Sequence, residues 1–132
     1  MKKIITLLFI ALVSTSITFA QNNSTKKADK LFDRLEYVKA AEEYLKLADK
    51  SPDNYIIERL ADSYYNIFNT REAEKWYSKI IDDEPDAEVI FRYSEMLKAN
   101  GKYKESNVWM SKFSEMKPYD TRAIAFRNAP NY

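Results

Sequence analysis

"LADSYYNIFNTREAEKWYSKIIDDEP", residues 60–85, is the stretch whose reading decides the fold. Taken from Ile57 just before it, Leu60, Ala61, Tyr64, Tyr65 and Phe68 follow the i, i+3, i+4, i+7, i+8, i+11 spacing of one α-helical face. Asn69 and Thr70 then read as a turn. Ala73, Trp76, Tyr77, Ile80 and Ile81 resume the spacing, and Pro85 ends it, because a proline lacks the N–H that a helix interior requires. Two amphipathic helices folded back as a hairpin are expected here.

The same unit recurs on both sides. Pro52, Pro85 and Pro118 are spaced by 33 residues, and other positions keep that register. Ala28, Ala61 and Ser94 are small, as are Ala40, Ala73 and Ser106. Tyr44, Tyr77 and Met110 are bulky, as are Leu31, Tyr64 and Leu97, while Leu47, Ile80 and Phe113 are apolar. Small residues let paired helices approach closely, and bulky ones fill the space between hairpins. No hairpin buries its apolar face alone, so stacking must supply the core.

The spacing therefore predicts an all-α helical-hairpin solenoid of about three repeats, 27–52, 53–85 and 86–118, with 21–26 as a short linker before them. Asp53 and Asp86, each following a proline, read as helix N-caps. The single glycine, Gly101, fits the left-handed end of a helix after Asn100. Residues 119–132 begin a partial fourth first-helix through Ile124 and Phe126 and then meet Pro130. No following helix covers it, so it reads as a minimal cap or as part of a longer protein.

The N-terminus has another character. "MKKIITLLFIALVSTSITFAQ" sets Lys2 and Lys3 before an apolar run from Ile4 to Val13, then small and polar residues to Ala20. This is the three-part pattern of a secretory signal, residues 1–20, with cleavage expected between Ala20 and Gln21. The run falls short of the roughly 20 apolar residues that a span requires. The chain has no Cys, so neither disulfides nor the lipidated cysteine of bacterial lipoproteins are available. A periplasmic destination in a Gram-negative cell follows as the expectation, with no direct membrane span after cleavage.

Several function classes are disfavoured. The 21 basic residues meet 20 acidic ones, and without Lys2 and Lys3 the count is 19 against 20, so no overall charge excess marks a nucleic-acid or anionic-lipid partner. There is no His or Cys for general-base, thiolate or zinc chemistry, and one glycine cannot build a phosphate loop. Glu42-Glu43 and Asp82-Asp83-Glu84 lie among polar neighbours and lack the alternating oxygens of a calcium loop. They read as solvated faces. No catalytic, metal or cofactor residues are assigned, and the chain is not expected to be an enzyme.

The pattern resembles the tetratricopeptide repeat family. Leu60-Ala61 with Tyr64, Ala73 with Tyr77, and the closing Pro85 match its motif. The third repeat departs from it with Ser94, Ser106 and Met110. The resemblance implies a concave groove for an extended or helical partner segment, lined by Asp29, Asp62 and Glu95 and by Phe32, Tyr65 and Lys98. An acidic row of that kind would favour a basic or hydroxyl-rich segment over a C-terminal carboxylate. The signal ending "ITFAQ" and the repeats opening "KKADKLFDRLEYVKAAEEYLKLA" are further similar to the N-terminal segment of OmpA-family cell-envelope proteins of the Bacteroidota. Some of those serve type IX secretion and gliding. Their β-propeller-type repeats and peptidoglycan-binding domain are not within these 132 residues, so peptidoglycan contact would need such a downstream domain. The expectation is a non-catalytic periplasmic scaffold that binds an envelope or secretion protein, with a self-contained periplasmic adaptor or chaperone as the alternative.

Overall fold

The computed structural model describes residues 24–129, so the signal segment lies outside the described residues. Helix α1 covers residues 24–33, followed by α2 Tyr37–Lys50, α3 Asn54–Asn66, α4 Thr70–Tyr77, α5 Ala87–Ala99, α6 Tyr103–Met116 and α7 Thr121–Asn128. Residues 24–26, read above as linker, are the first turn of α1, and Thr25 there is buried. Consecutive helices pack on one another from α2 to α7, and α3 also touches α5. The molecule is a helical-hairpin solenoid, and no strand occurs among the described residues.

The core is the 33-residue register made physical. Ala28, Ala61 and Ser94 are buried, as are Ala40, Ala73 and Ser106, with Tyr44, Tyr77, Leu97 and Phe113 filling the layers between them. In the third hairpin the serines do more than stay small. Ser106 Oγ donates to the Ser94 carbonyl at 2.8 Å, and Ser94 Oγ donates to the Phe91 carbonyl at 2.7 Å. Each buried hydroxyl is thus paired, which removes the penalty of burying it.

Three expectations are corrected. Helix α4 ends at Tyr77 instead of running through Ile80 and Ile81. The chain tightens into i→i+3 bonds, from Lys79 N–H to the Trp76 carbonyl at 3.2 Å and from Ile80 N–H to the Tyr77 carbonyl at 3.1 Å. Both isoleucines stay buried, so the tighter turn keeps their packing without the helix.

Of the two expected caps only Asp53 bonds through its side chain, and Asp120 caps the last helix in the same way. Asp53 and Asp120 accept from Ile56 N–H and Arg122 N–H, whereas Asp86 makes no side-chain cap bond. The Arg122 side chain and N–H hold the Asp120 carboxyl down at about 2. Helix α7 packs on α6 through the fully buried Ala123, with Phe126 half-buried and Ile124 more exposed.

Phe68 does not lie on the apolar face of α3. It sits in the turn with φ 55° and is 72% exposed. Leu35 takes the same place in the first hairpin with φ 62°, and Gly101 in the third with φ 80°. Each helix ends alike: Leu35, Phe68 and Gly101 donate to the carbonyl three residues back, and Glu36, Asn69 and Lys102 to the one five back. These are Schellman ends, which call for a left-handed residue. Only the third has the residue that adopts it freely; a side chain there costs about 1–2 kcal/mol.

Candidate functional site

The first helices of the hairpins, α1, α3 and α5, carry the residues expected to line a groove. The structure treats the carboxylates unequally. Asp29 on α1 accepts a hydrogen bond from the Tyr44 hydroxyl of α2 and another, at 2.8 Å, from the Tyr55 hydroxyl of α3. Asp62 on α3 is 4% exposed, accepts from the Tyr77 hydroxyl and pairs with Arg92 Nη1 of α5 at 2.9 Å. In both, a tyrosine 15 residues on supplies one donor and the next first helix supplies the other. Burial and then the adjacent carboxylate push the Tyr44 and Tyr77 hydroxyls well above the ordinary tyrosine range, so both remain donors.

Asp29 and Asp62 are therefore internal clamps between successive hairpins. The expected acidic row is not presented as such, because its first two carboxylates are spent on partners within the fold. Glu95, the third, is half-buried and makes no hydrogen bond or ion pair among the described residues. The residue at the clamp position in its hairpin is Met110, which has no hydroxyl to offer.

The aromatic positions divide in the same way. The Phe32 ring stands edge-on to Tyr37 at 5.1 Å, and the Arg59 guanidinium lies 4.0 Å above its centre. Tyr65 has Arg92 5.7 Å above its ring. Burial and then Glu95 raise the Tyr65 hydroxyl above its usual range. Lys98, in the third place, is exposed and unpaired among the described residues. Arg122 lies over Phe91 at 4.3 Å instead, tied to Asp120 and Glu88.

Arg59 and Arg92 were not singled out from the sequence, although their 33-residue spacing was there to find. A guanidinium stacked on a ring is held in one plane and keeps its edges for hydrogen bonding. Arg59 Nε is buried and has no hydrogen-bond partner among the described residues. Half-buried rings, fixed guanidinium planes and the open Glu95 and Lys98 make this face suited to gripping an extended segment. No group of residues suited to hold a metal ion occurs among the described residues, nor does a helix long and apolar enough to cross a membrane.

A second polar cluster joins the turn ends of α4 and α6. Glu74 accepts from Asn100 Nδ2 at 2.6 Å and pairs with Lys102, while Thr70 Oγ1 donates to Asn100 Oδ1 at 2.7 Å. This fastens the second hairpin to the third.

No family model and no curated protein matches the sequence. Among solved structures, the fold is similar to the second tetratricopeptide repeat domain of the human RPAP3 protein, determined by NMR in complex with the HSP70 peptide SGPTIEEVD. The TM-score is 0.69 at 22% identity, over 82% of this chain and 92% of that one. The architecture is of the tetratricopeptide type.

Proposed function

We propose that this tetratricopeptide-type solenoid is a non-catalytic scaffold that holds a segment of another protein along α1, α3 and α5. The observation that carries the reading is the repeated arginine-over-aromatic pair, Phe32 with Arg59 and Tyr65 with Arg92. It continues into the unspent Glu95 and Lys98. Stacked guanidiniums and half-buried rings add recognition while losing little side-chain freedom. That the similar RPAP3 domain was solved with a bound peptide supports a protein segment as the ligand class. With Asp29 and Asp62 engaged by donors within the fold, exposed charge of both signs remains, and it selects a partner by pattern more than by net charge.

The finer setting belongs to the same proposal. The signal-like residues 1–20 support a periplasmic scaffold beginning at Gln21. The resemblance of the repeats to OmpA-family envelope proteins supports a partner in an envelope or secretion assembly. A photo-crosslinking residue at Lys98 tests the face, with one at Lys46 on α2 as the control. Adducts with a discrete envelope protein from position 98 alone are expected. No adduct, or the same adduct from both positions, overturns the reading.

A further inference from the structure

One edge of the solenoid, formed by the turns inside each hairpin, presents apolar side chains that neither the core nor the first-helix face uses. Leu35 and Phe68 are 69% and 72% exposed, each held in a left-handed conformation that glycine would adopt without strain. Beside Gly101, Tyr103 at the start of α6 is 63% exposed. Strain retained to display an apolar side chain to solvent marks a functional feature rather than a packing one.

The charges around these tips are mixed, with a small basic excess. Glu36, Glu72 and Glu74 on this edge are each already paired with a lysine or arginine. Arg71, Lys98 and Lys104 have no ion-pair partner among the described residues, and Glu95 and Glu105 are the unpaired acids near them. The opposite edge, formed by the turns between hairpins, exposes Asp49, Asp82, Asp83, Glu84 and Asp86, which outnumber its lysines. The two edges are thus electrostatically opposed.

The geometry points to the first edge as a docking edge for the surface of an anionic phospholipid bilayer. Leu35, Phe68 and Tyr103 enter the interface, Arg71, Lys98 and Lys104 meet the headgroups, and the acidic edge faces away. Separate apolar tips, each beside a cation, suit a fluid surface that fills in around them. A protein interface instead needs one continuous packed patch. The inference does not rest on the groove on the face of the first helices, which shares only Lys98 with this edge.

The absence of native cysteine makes the test direct. An environment-sensitive dye is attached to full-length protein carrying Phe68→Cys or, on the acidic edge, Asp83→Cys. With phosphatidylglycerol-containing vesicles the dye at position 68 should shift to the blue, and raising the salt should weaken the effect. The dye at 83, and either dye with pure phosphatidylcholine, should not respond. A Leu35→Gly/Phe68→Gly variant relaxes both strained turns, so it should fold at least as well while its partitioning onto anionic vesicles falls by roughly tenfold or more. Its residues 1–23 are unchanged, so any lipid affinity of that apolar segment is common to variant and wild type. A silent dye at 68, equal shifts at 68 and 83, or unchanged partitioning of the double-glycine variant overturns the proposal. Vesicle-independent self-association abolished by that variant overturns it too, by making the edge a contact between copies.

Discussion

The second and third hairpins share one register and hold it by different chemistry. In the second, Ala61 and Ala73 let α3 and α4 touch, and Tyr77 closes on Asp62, which reaches Arg92 of the next hairpin. In the third, Ser94 and Ser106 replace the alanines and bond across the contact, while Met110 replaces the tyrosine and Glu95 is left open. Helix packing of this kind requires small volume at two positions and accepts either a methyl or a satisfied hydroxyl there. The polar clamp is a separate layer laid over that packing. Where the tyrosine is lost, the packing survives and the acid becomes free for another use.

The largest test of this contrast is to remove the two acids in turn. Asp62→Ala leaves Arg92 and the Tyr77 hydroxyl without their partner. It should cost about 3 kcal/mol, the low end for breaking a buried pair, because Arg92 keeps some contact with water. Glu95→Ala should stay within about 0.5 kcal/mol. Denaturant melts of both variants check this, and equal losses would break the division between clamp and open site.

A smaller loss is expected from overfilling the shared packing position. Ala73→Leu must separate α3 from α4 and should cost about 2 kcal/mol. The exposed Lys75→Leu serves as the control and should barely change the melting temperature. Glu74 is no such control, although it adjoins Ala73, because it binds Asn100 and Lys102 of the third hairpin. Comparable losses in the two variants would mean that α3 and α4 do not meet at Ala73.

The smallest effect is a gain. Met110→Tyr with Glu95→Asp rebuilds the clamp in the third hairpin. A double-mutant cycle should give a favourable coupling of about 0.5 kcal/mol, the modest net value of an added hydrogen bond. A coupling of zero or of the opposite sign would show that the clamp needs the second donor of a following helix as well, as Tyr55 serves Asp29 and Arg92 serves Asp62.

How much of this was legible beforehand differs by residue. The helices, the two small positions and the buried Tyr44 and Tyr77 follow from periodicity, because burial on a helix is a local matter of which face a residue occupies. The end of α4 did not, since Ile80 and Ile81 keep the helical spacing while the backbone under them tightens. Nor did Phe68, whose spacing fits the apolar stripe of α3 although the helix stops at Asn66, two residues earlier. Apolar spacing reports the face a residue would occupy if the helix continued, not whether it does.

From its residues alone, this chain determined an all-α solenoid with a 33-residue period and the absence of thiol and imidazole chemistry. Only the tertiary structure decided which of Asp29, Asp62 and Glu95 is engaged within the fold and which is left open. A carboxylate's role depends on donors that arrive from other helices, a tyrosine 15 residues on and, for Asp62, an arginine 30 residues on. The recurring 15-residue step from Asp29 to Tyr44 and from Asp62 to Tyr77, missing at Glu95, was the one trace of it in the sequence. Its meaning appears only when the folded hairpins bring those side chains within hydrogen-bond reach.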